Sequence, residues 1–169
     1  MEPRIDFTKV SPGAIQAMQG LGKYLDKSGL ETSLMDLVKV RASVVNGCAY
    51  CLDMHWKDAR QSGETEQRLY GLAAWQEAPY YSDRERAALA WTDAVTRLGE
   101  NRVPDDVFRE ARRQFREAEL VDLTLCVVAI NGWNRLCISF RAPAGTYQPV
   151  RRPERPRAEA SRRAEAASH

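Results

Sequence analysis

The segment NGCAYCLDMH, residues 46–55, holds two of the chain's four cysteines and the one histidine of its two that is not the C-terminal residue. Cys48 and Cys51 are three residues apart, and His55 follows four residues later. If a helix begins near Cys48, both thiols lie at or in its first turn. Free amide N–H groups and the positive end of the helix dipole favour a thiolate there. His55 would then sit one turn beyond Cys51 on the same face, with its ring in reach of that sulfur. Two cysteines at this spacing can also close a short, reducible disulfide with little backbone movement. Metal binding, thiol redox chemistry and plain core packing all compete for such a cluster. Zinc takes four ligands, and the second Cys/His pair of zinc-finger spacing is missing. Covalent haem needs histidine directly after the second cysteine, where Leu52 stands. Core packing rarely places a lone histidine one turn after C-x-x-C, so a redox-active dithiol with its own proton carrier is the favoured reading.

The elements that must position these residues read as helices throughout. Ser11-Pro12 marks an N-cap with proline at the first helical position, leading into Ile15, Met18, Leu21 and Leu25 before Gly29. Leu34, Leu37, Val38, Val44 and Val45 repeat at helical spacing until Asn46-Gly47 interrupts them. A third helix runs from Cys48 to Ser62-Gly63, and a fourth from Thr65 through Trp75 to Pro79. Ser82 with Glu85 forms a capping box that opens a fifth, carrying Ala87, Trp91 and Val95. Asp105–Phe115 is the sixth, and the apolar run Leu120–Phe140 is the seventh. No stretch alternates with period two, and a thioredoxin fold, which needs a βαβ unit, is excluded. The expected fold is all-α, with about six to seven helices.

The seventh segment raises the membrane question, but Asp122, Asn131, Asn134 and Arg135 interrupt it, which suits a central core helix better than a span. Cys126 and Cys137, both within it, read as buried structural thiols packing as small hydrophobes. With 169 residues, 44% of them hydrophobic, the chain can bury one substantial core. The expected division is an all-helical domain over residues 1–142 and a mobile Pro/Arg-rich tail over 143–169. From Pro149 on, that tail holds six of the 25 Lys+Arg and three of the 23 Asp+Glu, which leaves the body nearly neutral and unlike a nucleic-acid binder. The N-terminus lacks a signal-peptide pattern. The expected location is therefore the cytoplasm, where thiols stay reduced and C-x-x-C serves catalysis or metal binding more often than structure.

Taken together, Asp36, eleven intervening residues, CAYC, three more residues and His55 resemble the E-x11-C-x-x-C-x3-H signature of the AhpD-like alkylhydroperoxidases, a branch of the carboxymuconolactone decarboxylase family. The flanking LVKVRASVVNGCAYCLDMHWKDARQSGETEQRL is similar to the single-repeat members, as are RERAALAWTDAVT and AINGWNRL, so the likeness covers roughly residues 11–142. It implies a thiol-dependent hydroperoxide reductase. Cys51 would be the thiolate that attacks the O–O bond, Cys48 the resolving thiol, and His55 with Asp36 the proton carriers. No metal or flavin cofactor is implied. The implied partners are a hydroperoxide substrate and a dithiol reductant, either a lipoyl-bearing or a thioredoxin-like protein. Neither nucleic acid nor membrane is among them.

Two positions depart from the family pattern. Asp36 is one methylene shorter than the usual glutamate, and Tyr50 stands where AhpD has a histidine between its cysteines. A general thiol–disulfide oxidoreductase and a non-enzymatic redox sensor therefore stay open beside the peroxidase. Lactone decarboxylation is disfavoured, because decarboxylase members lack the cysteine pair. The resemblance also implies a trimeric or hexameric homo-oligomer, in keeping with apolar positions such as Trp75, Trp91 and Trp133 expected at the surface.

Overall fold

The computed structural model describes residues 2–100 and 102–149. Among them are eight α-helices and no strand: α1 (Phe7–Val10), α2 (Pro12–Leu25), α3 (Thr32–Asn46), α4 (Ala49–Gln61), α5 (Glu66–Gly71), α6 (Asp83–Thr96), α7 (Asp105–Gln114) and α8 (Glu117–Phe140). A 3₁₀ turn, Leu72–Ala74, continues α5. The all-α reading holds, and each of the seven helices expected from the sequence is present. The additional element is the four-residue α1. The expected fourth helix is shorter than its periodicity suggested, because it tightens into the 3₁₀ turn after Gly71.

The helix boundaries follow from local chemistry. The Ser82 capping box forms as read: Ser82 N–H donates to Glu85 Oε2 at 2.8 Å, and Ser82 Oγ accepts from the Glu85 amide at 3.3 Å. At α5 the Thr65 hydroxyl accepts the Arg68 amide at 3.2 Å. Pro12 sits at the start of α2, where its missing N–H costs nothing.

Helices α3 and α8 form the centre. α3 packs against α4, α6 and α8, while α8 also packs against α2 and α6. Leu34, Met35 and Val38 of α3 meet Ala88 and Trp91 of α6 and Leu123 and Val127 of α8 in one apolar cluster. A second cluster joins Leu37 and Val40 of α3 to Ala59 of α4, Leu69 and Leu72 around the 3₁₀ turn, and Leu89 of α6. Among the described residues, α8 is the one helix long and apolar enough to cross a membrane by length and composition. In this fold it is the central helix, with Leu123, Cys126, Val127, Ile130 and Asn134 buried.

Two surface expectations are corrected. Trp75 and Trp91 are both buried within the single chain, because each indole N–H finds a partner: Asp93 at 3.2 Å and Thr124 at 3.0 Å. The exposed large apolar groups are instead Tyr24, Val121, Val128 and Ile138, among others.

The second correction concerns the end of the body. The chain stays on α4 beyond Ala142: Gly145 N–H donates to Asp53 at 3.1 Å, Lys57 donates to the Tyr147 carbonyl at 2.9 Å, and the Tyr147 hydroxyl donates to the buried Asp58 at 2.7 Å. The rest of the expected tail, residues 150–169, lies outside the described residues. Truncation after Pro149 should leave the melting temperature unchanged. Truncation after Ala142 should cost about 1–3 kcal/mol, because it strips the hydroxyl from a buried carboxylate. Thermal melts of the two truncated chains check this, and equal melting would deny the Tyr147 anchor.

Candidate functional site

The site is built at the tip of an αα-hairpin. Gly47, at φ 66°, takes the left-handed conformation that glycine adopts without strain and ends α3. Its N–H donates to Val44 O at 3.2 Å, and the Cys48 N–H donates to Ser43 O at 3.0 Å. The chain then reverses, so that Cys48 is the N-cap of α4 and Cys51 the third residue inside it. The helix start read from the sequence is therefore correct, and both thiols stand where the first-turn amides are unpaired.

A third sulfur arrives from α8. The Sγ atoms of Cys48, Cys51 and Cys137 lie within 4.8 Å of one another, and the three residues are 1%, 1% and 5% exposed. All three are free thiols. Reading Cys137 as a structural thiol therefore missed its place, because it lies in the last turn of α8, directly against the C-x-x-C pair. One sequence signal could have found it. Asn131 and Asn134 place polar groups on an otherwise apolar helix, and Cys137 continues their stripe at i+3. Ala42 and Ile130 complete the core of this cluster, and Phe7, Tyr50 and Trp133 pack over it. The α1 segment is held there by Arg4, whose backbone N–H donates to Phe140 O at 3.0 Å, and by the Phe7 and Phe140 rings, 5.6 Å apart.

Polar groups on α3 and α8 frame the sulfurs. Asn46 Nδ2 donates to Asn134 Oδ1 at 2.8 Å and to Asn131 Oδ1 at 3.0 Å, while Asn134 Nδ2 donates to Ser43 Oγ at 3.1 Å. Asn134 also hydrogen-bonds Cys48. Cys48 is held far below an ordinary thiol, at about 3, first by hydrogen bonds from the Cys137 and Cys51 thiols and then by the Cys51 amide and Asn134. The Cys51 amide acts here without a full N-cap hydrogen bond. Cys51 is pushed up, by its hydrogen bonds to Cys137 and Cys48 and by burial. Cys137 is pushed up to about 12, chiefly by its hydrogen bond to Cys48, with burial adding to the shift. The downward shift of Cys48 and the upward shifts of Cys51 and Cys137 favour Cys48 as the sulfur that carries negative charge in this pocket. The sequence reading favours Cys51 for that role, on its spacing to His55. The difference arises because Cys48 has donors from α4 and α8 together. The Tyr50 hydroxyl is also raised, chiefly by burial, and Tyr50 flanks the same pocket.

The other two expected residues lie further along the hairpin. His55 is half-buried on α4, one turn past Cys51. Asp36 is buried on α3, with its carboxylate 3.6 Å from Lys39 and its charge raising the pKa of Cys126. Ten residues of α3 separate Asp36 from Asn46, about 15 Å at the helical rise. Asp36 thus lies on α3 well back from the Gly47 reversal. Cys126, pushed up to about 11 by burial, belongs to the main apolar core and not to the thiol cluster, as expected from the sequence. As a metal centre the cluster offers three soft donors. That number suits a low-coordinate thiophilic ion better than tetrahedral zinc.

An all-helical fold carrying a C-x-x-C pair at a helix N-terminus, with histidine one turn on, defines an AhpD-like protein. Residues 12–94 match the model of the carboxymuconolactone decarboxylase family. Uncharacterized protein YdfG of Bacillus subtilis (strain 168) is 40% identical over 140 residues, which covers 83% of this chain and 95% of that protein. The chain belongs to the carboxymuconolactone decarboxylase family. A crystal structure from Agrobacterium tumefaciens, of a protein of unknown function assigned provisionally to antioxidant defence as AhpD, superposes with a TM-score of 0.83 at 42% identity. That match covers 86% of this chain and 100% of the other. The apo debrominase Bmp8 superposes at 0.72 with 21% identity, over 80% of this chain and 73% of its own, a likeness of fold alone.

Proposed function

We propose that the protein is a thiol-dependent hydroperoxide reductase serving antioxidant defence in a reducing compartment, the cytoplasm. The observation that carries this reading is a buried cluster of three free thiols at the N-terminus of α4, with Cys48 shifted towards the thiolate. Cys48 is the attacking sulfur. Its lone pair displaces the distal O–O bond of the hydroperoxide, forming Cys48–SOH and an alkoxide that takes a proton and leaves as alcohol. Cys51 then attacks the sulfenic sulfur, the S–O bond breaks, water leaves, and a disulfide closes. A dithiol reductant, lipoyl-bearing or thioredoxin-like, reopens it. An open apolar cleft of ≈ 450 Å³ beside α4, lined by Val44, Leu52, Trp56 and Leu69, suits the organic part of an alkyl hydroperoxide.

In this reading His55 and Asp36 act together. His55 exchanges protons at the thiols one turn away, and Asp36 on the facing helix is the second proton carrier. Asp36→Asn and His55→Gln should each lower kcat/KM by about 10²–10⁴-fold. The double variant should lose little more than either alone. Independent, multiplying losses would separate the two residues. The exposed strip of Tyr24, Val121 and Val128 supports self-assembly as a trimer or hexamer, which light scattering at micromolar concentration tests.

The deciding experiment is peroxide consumption by the pure protein with dihydrolipoamide or a thioredoxin system as reductant. Many turnovers per chain support the peroxidase. Oxidation once per chain, without cycling, is the result a redox sensor would give. Cycling on protein disulfides without peroxide consumption would mark a general thiol–disulfide oxidoreductase.

A further inference from the structure

We propose that Cys137 is a third redox residue of this centre, a second resolving thiol that closes a Cys48–Cys137 disulfide between α4 and α8. The inference rests on the hydroperoxide reading of the site and extends it to a residue outside the C-x-x-C pair.

Geometry carries the proposal. The Cys137 sulfur is within 4.8 Å of both others, so from Cys48 the two thiols are comparable neighbours. Both sulfurs neighbour the Cys48 sulfur, so either is close enough to attack it once it is oxidised. Cys137 also lies in the last turn of α8, three residues before the helix ends at Phe140. Helix ends open more readily than helix centres, so the last turn can supply the small shift that brings sulfurs from contact to a bond of about 2.05 Å. Cys126 is the internal contrast. It is equally buried on the same helix, but it belongs to the apolar core and has no thiol neighbour in the cluster.

The step balances without a further reagent. Hydroperoxide takes two electrons from Cys48, giving Cys48–SOH and alcohol. The Cys137 thiol then attacks the Cys48 sulfur. The S–S bond forms, the S–O bond breaks, and the departing hydroxide takes the thiol proton and leaves as water. The same dithiol reductant that would reopen Cys48–Cys51 returns both sulfurs to thiols.

The test uses the full chain in a Cys126→Ala background, so that the uninvolved thiol is absent. The reduced Cys51→Ser variant is treated with equimolar cumene hydroperoxide, blocked with an alkylating agent, and read by intact mass and peptide mapping. The expected product is lighter by about 2 Da, with Cys48 joined to Cys137 and neither sulfur alkylated. Product that stops as a dimedone-trappable sulfenic acid on Cys48, with Cys137 alkylated, overturns the proposal. Cys51→Ala serves as the second variant if Cys51→Ser melts early. Diamide, run in parallel, separates this inference from the peroxidase reading, because it forms disulfides without peroxide. A Cys48–Cys137 bond with diamide but no reaction with hydroperoxide sustains the pairing and sinks the peroxidase. Absence of that bond with both oxidants overturns Cys137 as a redox residue.

Discussion

Cys48→Ser should lose reaction with hydroperoxides by at least about 10³-fold, the scale seen when an enzyme loses its nucleophile. The reason is the charge distribution in the cluster. Cys48 is shifted towards the thiolate by its thiol, amide and Asn134 hydrogen bonds, whereas Cys51 and Cys137 are shifted towards the protonated form. Alkylation by iodoacetamide should therefore concentrate on Cys48 and vary little between about pH 5 and pH 8, where an ordinary thiol would accelerate about tenfold per unit. Cys51→Ser keeps the nucleophile, so its first oxidation should survive. Dimedone trapping with peptide mapping reads both variants. An adduct on Cys51 in the Cys48→Ser protein, with Cys48 inert in the reciprocal variant, restores the order that the spacing to His55 suggested.

The three-sulfur cluster shows what could be read from the linear chain and what could not. Gly47 announces the end of α3 and Ser82 with Glu85 the start of α6, because these signals act over one helical turn and need no tertiary partner. The same locality made Cys48, Cys51 and His55 legible as a group. Cys137 lies 86 residues beyond Cys51, so only the packing of α8 against α3 and α4 could deliver it to the pocket. Once delivered, it changes the proton balance of a pair that had been weighed alone. Asp36 fits the sequence signature in number, and ten residues at the helical rise set it about 15 Å back from Asn46, but spacing alone does not say which side chains it meets there. Trp75 and Trp91 were misread for a related reason. A bulky indole looks like a surface liability until a hydrogen-bond acceptor such as Asp93 or Thr124 is found for it in the interior.

Asp93 supports the second large expected effect. The Arg41 guanidinium, with its side chain 5% exposed, donates to both Asp93 oxygens, Nε at 2.6 Å and Nη2 at 2.7 Å. Its Nη1 donates to Leu72 O at 2.8 Å. One side chain of α3 is thereby tied to α6 and to the 3₁₀ turn, and the Trp75 indole donates to the same carboxylate. Asp93→Ala leaves a buried guanidinium without its counter-charge, and breaking a pair in this way costs about 3–5 kcal/mol. Single domains hold about 5–15 kcal/mol in total, so urea unfolding should shift to a much lower midpoint. Replacing both partners with apolar groups, Arg41→Met with Asp93→Leu, should recover most of the loss, because no uncompensated charge then stays buried. A double variant as unstable as Asp93→Ala would instead mean that the Leu72 and Trp75 hydrogen bonds carry the stability. The consequence reaches the thiols through α3, whose last turn sets the Gly47 reversal and hence the position of Cys48. Asp93→Ala should therefore broaden the pH dependence of Cys48 alkylation even under conditions where the chain is still folded.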